Sequence, residues 1–168
     1  VASRTATLAI DPEFVSKNKR FAGAINRRFD LVIANHVLEH AADPLTWLDQ
    51  LAELTRPCGH LFMALPDRRY TFDIQRRDNS LTDWIRWRDQ DLVKPSADQL
   101  FDAIYYHRAI RHMDVWRDEA TSKINEKRFP ADDAWRRAQH HATEAAPDTH
   151  CSVFTSESFR ALWQEIEE

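Results

Sequence analysis

The chain has 168 residues, of which 43% are hydrophobic and 30% charged, a composition typical of one soluble globular domain. Its net charge of -4 gives no basic footprint for nucleic-acid binding, and no apolar run approaches the roughly 20 residues of a membrane span. The first residues lack a signal-peptide pattern, and Cys58 and Cys151 form no disulfide framework, so we expect reduced thiols in a cytoplasmic protein.

The first third of the chain predicts strands that alternate with a helix. Asp43 and Pro44 are residues expected at a helix start, and the leucines from Leu45 to Leu54 then recur at three-residue spacing. The run Arg56-Pro57-Cys58-Gly59 predicts the end of that helix. Short apolar runs predict three strands, at Ala6–Ile10, Phe29–Ala34 and His60–Leu65. Strand, helix and strand in this order predict a β–α–β unit and a parallel sheet.

The rest of the chain predicts mainly helices. A pattern rich in charged and aromatic residues runs from about 80 to 146, which is typical of a helical insertion within one domain of residues 1–168. One helical stripe is expected to carry Leu100, Ile104, His107 and Arg111, with His107 as a buried, hydrogen-bonded residue. The elements expected after it are a helix at 132–143, a strand at 151–154 and a last helix from 155 to 166.

The most informative motif follows the predicted strand at 29–34. There the sequence NHVLEH places His36, Glu39 and His40 in an H-x-x-E-H spacing at the exit of a buried strand. Two imidazoles and a carboxylate in such a place could bind a metal, act as a base, or hold a loop together by hydrogen bonds. The spacing does not choose among these roles.

Three segments in order resemble class I S-adenosylmethionine-dependent methyltransferases. They read FDLVIANHVLEHAADPLTWLDQLAELTRPCGHLFMALPD, then PDRRYTFD, then THCSVFTSESF, and the last two resemble a subgroup often associated with glycan biosynthesis. The resemblance implies an α/β, Rossmann-like methyltransferase fold with a helical insertion. It also implies S-adenosyl-L-methionine as cofactor and a small-molecule or glycan-linked acceptor.

The resemblance is partial at the cofactor loop. The first strand and the glycine-rich turn of the family have no counterpart here, because the chain contains only Gly23 and Gly59. The chain is therefore expected to be either the C-terminal portion of a methyltransferase or a degenerate relative that serves as a scaffold or binds a partner. An incomplete sheet would expose strand edges, so we also expect a homodimer or a partner chain that covers them.

The resemblance also implies roles for individual residues. His36 would act as general base, with Asn35 and Asp11 as cofactor-binding residues. The residues expected to bind the acceptor are Asp67, Arg68, Arg69, Tyr70 and His150. The two arginines could bind a phosphate or carboxylate of the acceptor, or could belong to a solvated loop of ion pairs.

Other interpretations of the H-x-x-E-H motif stay open. Glu39 and His40 could be structural loop residues. We expect no metal, but some methyltransferases that act on RNA ends resemble this pattern, and here His36, Glu39, His40 and His150 would then bind Zn, Mn or Fe rather than Mg. The motif also occurs in inverzincin peptidases, yet the stretch before Asp43 leaves room for only one or two helical turns.

The aromatic residues of the insertion leave a further choice. Four tryptophans, Trp84, Trp87, Trp116 and Trp135, could line a sugar-binding pocket or pack in a core. No feature predicts a nucleic acid or a membrane as partner.

Overall fold

The computed structural model describes residues 21–25, 27–117, 124–143 and 147–167. The predicted strand at 6–10 and Asp11 lie outside these residues. No helix within the described ranges is long and apolar enough to cross a membrane.

The β–α–β unit is confirmed. Strand β1 (Phe29–Asn35) and strand β2 (Thr55–Ala64) pair in parallel, and helix α1 (Pro44–Leu54) connects them. The side chain of Asp43 caps α1 by accepting a hydrogen bond of 3.0 Å from the amide of Thr46. The predicted leucine face of α1 is buried, together with Trp47, in the core beside the sheet.

The predicted end of α1 is confirmed, since the helix ends at Leu54, but strand β2 starts earlier than the predicted His60. The residues from Arg56 to Gly59 lie inside β2, which starts directly after α1. They make the ladder irregular, because Phe29 pairs with Thr55 whereas Leu31 already pairs with His60. Cys58 has a φ of 65°, and a Cβ at Gly59 would come within 2.9 Å of the Arg56 carbonyl oxygen. Residues 56–59 therefore form a bulge at the start of β2.

Helices cover much of the region from 80 to 146. Their bounds are α2 (Leu81–Asp89), α3 (Ala97–Tyr105), α4 (His112–Trp116) and α5 (Ala131–Thr143), followed by α6 (Ser156–Glu167). Helix α3 packs on α5, and α2 packs on α1. The expected stripe is interrupted, because α3 ends at Tyr105 and leaves His107 and Arg111 outside it.

The predicted strand at 151–154 is also wrong. These residues are buried, but they form a single β-bridge, between Phe154 and Asp67, rather than a strand. Neither Cys58 nor Cys151 is in a disulfide, as expected, and burial raises the pKa of Cys151 to about 12. At the start of α6, Oγ1 of Thr155 caps the helix by accepting a hydrogen bond of 3.1 Å from the Ser158 amide.

Asp83, in the first turn of α2, makes a set of buried hydrogen bonds whose contribution to stability can be measured. It is buried and accepts two hydrogen bonds from the Arg77 guanidinium, at 2.7 and 2.9 Å, and one from the Ser80 amide. Burial raises the pKa of Asp83. The hydrogen bonds and positive charge of Arg77, with the hydrogen bond from the Ser80 amide, outweigh burial and hold the pKa well below its usual range.

We expect Asp83→Asn to lower the free energy of unfolding by about 1.5–3 kcal/mol at pH 7. Because the folded pKa is depressed, the parent keeps this stability above the unfolded value of about 3.9 and loses it as the pH falls below that value. Urea unfolding at pH 7 and pH 3 checks this. The exposed Asp49→Asn, which removes a surface pair with Arg88, is the control. If the free energies of unfolding of Asp83→Asn and the parent differed by the same amount at pH 7 and pH 3, the prediction would be contradicted.

Candidate functional site

The two strands end at the same edge of the sheet. Asn35, the last residue of β1, pairs with Ala64, the last residue of β2, and the amide of His36 donates to the Ala64 carbonyl at 2.9 Å. Open α/β sheets bind ligands outside the carboxyl ends of their strands. The side chains that follow Asn35 and Ala64 therefore form the candidate site.

His36 stands at the exit of β1 in an unusual conformation. Its φ of 52° is in the left-handed region, and its side chain is 64% exposed. The ring Nδ1 lies 3.2 Å from Oε1 of Glu39, a favourable contact when the ring is protonated. Strained backbone that presents an exposed polar side chain is frequent at functional sites.

Glu39 is the buried member of the motif. It lies in a single 3₁₀ turn (Leu38–His40), and its side chain is 1% exposed. Its carbonyl oxygen accepts from the amides of Cys151 and Ser152, at 2.6 and 3.1 Å, which joins this turn to the distant C-terminal segment. Neither carboxylate oxygen of Glu39 accepts a hydrogen bond from any residue that the structure describes.

His150 is brought to the same place by a buried ion pair. Nδ1 of His150 lies 2.6 Å from Oδ2 of Asp73, and Asp73 pairs with Arg76 at 3.1 Å. Arg76 also donates to the carbonyl oxygens of His150 and Cys151, at 2.7 and 3.3 Å. Burial raises the pKa of Asp73, but the hydrogen bond to His150 and the charge of Arg76 outweigh it and leave the pKa lowered.

His40 completes a cluster with Glu39 and His150. The rings of His40 and His150 meet edge to face, 4.9 Å apart, and Nε2 of His40 lies 4.0 Å from Oε1 of Glu39. Nδ1 of His40 lies 2.8 Å from Oδ1 of Asp148. Each of Glu39, His40 and His150 offers one ligand atom, and these atoms all lie within 4.8 Å of one another. We call these three residues the EHH cluster.

The segment after β2 forms a tight polar loop. Asp67 accepts from the guanidinium of Arg69, and this hydrogen bond holds the pKa of Asp67 below its usual value. Arg69 also pairs with Glu157 at 3.1 Å. Arg68 is bonded to Asp78 and to the carbonyl oxygen of Ile74. Both predicted acceptor-binding arginines are thus engaged by neighbours within the fold.

Tyr70 belongs to an aromatic pair. Its ring stacks on Trp116 with centroids 4.4 Å apart and planes 13° from parallel, and Trp116 is 66% exposed. Phe72 packs on the rings of His107 and His150, 5.0 and 4.8 Å away. By contrast Trp84 and Trp87 are buried in the core, so only part of the tryptophan set could meet a ligand.

A family model of the methyltransferase domain matches residues 3–167. The chain belongs to the methyltransferase domain family. A parallel β1–β2 pair accompanied by helices is compatible with the α/β, Rossmann-like fold expected of it. No match was found among curated proteins or among solved structures.

In this methyltransferase domain, the structure brings several of the predicted residues to one edge of the sheet and adds others that the sequence did not indicate. Asn35 ends β1, His36, Glu39 and His40 follow it as expected, and His150 joins them from the C-terminal part of the chain. Arg76 and Asp148, which hold or contact the histidines, belong to no motif. For Arg76 the sequence offers one indication, the run of polar residues that follows β2 and includes Asp73.

The methyltransferase domain also contains a polar cavity that the sequence did not indicate. Its volume is about 240 Å³, and among its lining residues are Arg77, Arg86, Asp98, Gln99, Asp102 and Cys151. Burial raises the pKa of Asp102, although the charges of Arg76 and Arg77 act against the rise.

Proposed function

We propose that this domain transfers a methyl group from S-adenosyl-L-methionine to a small-molecule or glycan-linked acceptor. The observation that carries the proposal is the position of His36. In a chain of the methyltransferase domain family, this exposed imidazole stands where two parallel strands end together. Such an edge is the ligand-binding edge of open α/β sheets.

Two residues at this edge are available to part of the cofactor. Asn35 and His36 are both exposed at the end of β1 and offer polar groups to a ligand. We assign Asn35 to cofactor binding, and we keep Asp11, outside the described residues, as the candidate for the ribose. When bound, S-adenosyl-L-methionine supplies a methyl group on a sulfonium, and the protein has to position the acceptor in line with it.

His36 is the proposed general base. A neutral imidazole can accept the proton that an acceptor hydroxyl or amine loses, and histidine changes charge near neutral pH. Its high exposure leaves the ring open to an acceptor. Glu39 beside it would stabilise the protonated ring, since the Nδ1–Oε1 distance is 3.2 Å.

The acceptor is proposed to lie against the loop after β2 and the C-terminal segment. Tyr70 and the exposed Trp116 form a flat aromatic surface of the kind on which sugar rings pack. Arg69 is the more exposed of the two arginines, and with Asp67 and His150 it offers polar groups beside that surface. Arg68 forms an ion pair with Asp78 and would therefore stabilise the loop after β2 rather than contact the acceptor.

A methyl-transfer assay tests the proposal. The full chain is incubated with methyl-labelled S-adenosyl-L-methionine and a panel of sugars, nucleotide sugars and small hydroxyl or amine compounds. We expect label in one acceptor class and an equal amount of S-adenosylhomocysteine. Trp116→Ala should raise KM for a glycan acceptor, whereas Trp135→Ala on α5 should not. If the cofactor binds but no acceptor takes label, the scaffold alternative replaces the enzyme.

A further inference from the structure

We propose that the EHH cluster (Glu39, His40 and His150) is a binding site for a divalent transition-metal ion of the zinc class. The proposed methyl transfer assigns Glu39 and His150 to separate roles and gives His40 none, so it does not explain why the three side chains converge. Three groups that ligate such ions converge within 4.8 Å, and one of them is a fully buried carboxylate. The site does not depend on methyl transfer, so it stands or falls separately from the proposed function.

The buried Glu39 carboxylate is suited to binding a cation, and the nearest basic group is Nδ1 of His36, 3.2 Å from Oε1. The Glu39 side chain is 1% exposed, and neither oxygen accepts a hydrogen bond from the described residues. A buried charge without such bonds is costly, and buried carboxylates are normally paired, hydrogen-bonded or bound to a metal. An ion between Glu39, His40 and His150 would satisfy the carboxylate with the groups already in place.

Two further carboxylates favour the required form of each imidazole. Asp73 lies within hydrogen-bond distance of Nδ1 of His150, at 2.6 Å, whereas Asp148 makes an ion-pair contact of 2.8 Å with Nδ1 of His40 that does not have hydrogen-bond geometry. A carboxylate at Nδ1 favours the proton on that nitrogen, which leaves Nε2 with a lone pair for a metal. Metal-binding histidines are commonly oriented in this way by an acidic group behind the ring.

The ligand set selects the class of ion. Two imidazoles and one carboxylate suit Zn²⁺ and its first-row neighbours, whereas Mg²⁺ and Ca²⁺ prefer sites made of oxygen atoms. Three protein ligands also leave a fourth position of a tetrahedral ion open to water or to an oxygen of a substrate. His40, whose side chain is 34% exposed, is the most exposed member of the cluster.

The site has to contract when it binds the ion. Bonds of about 2.1 Å place the ligands of a tetrahedral ion about 3.4 Å apart, whereas Nε2 of His40 is 4.0 Å from Oε1 of Glu39. His40 is the ligand that can move, since its side chain is 34% exposed and its partner Asp148 is 92% exposed. Glu39 and His150 are held by the buried network around Asp73 and Arg76.

Metal titration of the full chain tests the site. The protein is stripped with a chelator, then titrated with Zn²⁺ by calorimetry and with Co²⁺ by absorption spectroscopy, without cofactor or acceptor. We expect one ion per chain bound at this site, with the visible bands of tetrahedral Co²⁺. Glu39→Gln should weaken binding about 100-fold or more, and Asp148→Asn by about 10- to 100-fold.

Control variants separate this site from other histidines. His60→Gln, an exposed residue far along β2 from the sheet edge, should leave the affinity unchanged. The adjacent His140 and His141 on α5 could bind an ion of their own. The titrations are therefore repeated in a protein that carries His140→Gln and His141→Gln.

Glu39→Gln keeps the shape of the side chain and removes its charge, so the metal-free variant should fold at least as well as the parent. Asp148→Asn alters an exposed group and cannot fail through the core. Absence of Zn²⁺ binding by the parent would overturn the proposal. A Zn²⁺ affinity that is the same in the parent, Glu39→Gln and Asp148→Asn would also overturn it. Neighbouring protonated histidines would then be the only groups that neutralise Glu39.

Discussion

Replacing Arg76 with Met should lower the free energy of unfolding by about 3–5 kcal/mol. Arg76 is 3% exposed and is the buried partner of Asp73, with 3.1 Å between Nη1 and Oδ1. It also donates to the carbonyl oxygens of His150 and Cys151. The change would leave a buried carboxylate without its cation and two carbonyl oxygens without this donor.

A surface arginine provides the matched control for Arg76. Arg88→Met removes an ion pair with Asp49 in which both side chains are exposed, so it should cost less than about 1 kcal/mol. Both values come from urea unfolding followed by circular dichroism. Equal losses in the two variants would show that the Asp73–Arg76 pair does not hold the C-terminal segment in place.

Replacing His36 with Ala should lower kcat about 10²- to 10⁴-fold, the usual contribution of a general base. The reason is that the proposed scheme places no other imidazole in contact with the acceptor proton. Affinity for S-adenosylhomocysteine should change little, because His36 is assigned to proton transfer rather than to cofactor binding. The effect is measured as steady-state turnover with the acceptor found in the transfer assay.

His60→Ala is the control for this prediction. It deletes an exposed imidazole from the same sheet, but at the register position of Leu31 rather than at the strand ends. It should leave kcat and KM near those of the parent. A His36→Ala variant with kcat within a few-fold of the parent would exclude His36 as the base. A raised KM at unchanged kcat would assign it to acceptor binding instead.

Local patterns were sufficient to predict the β–α–β unit. The apolar run at 29–34, the Asp43–Pro44 start and the leucine spacing each correspond to an observed feature, because each depends on neighbours in sequence. The predictions failed where distant segments decide the backbone. Residues 56–59 join β2, whose residues pair with β1. Residues 151–154 form no strand, because the loops around Glu39 and Asn79 occupy hydrogen-bonding groups of residues 151–153.

The candidate site was predictable to the same extent. The H-x-x-E-H motif named three of its residues, and resemblance to methyltransferases placed it at a strand exit. The burial of Glu39 could not be predicted from the motif, and its convergence with His150 was implied only by the resemblance to methyltransferases that act on RNA ends. In the fold the two residues are joined by the Cys151 and Ser152 amides, which donate to the Glu39 carbonyl oxygen. Arg76 and Asp148 are ordinary charged residues in the sequence and acquire their positions only from the fold.

Calorimetric titration of the full chain with S-adenosylhomocysteine tests the central claim most directly. A methyltransferase that uses this cofactor should bind the product with a Kd of about 1–100 μM, which corresponds to roughly -5 to -8 kcal/mol. Asn35→Ala should weaken that binding, whereas His60→Ala should not. Absence of heat at millimolar ligand would contradict the assignment for this chain and favour either a portion of a methyltransferase without the cofactor loop or a methyltransferase-like scaffold.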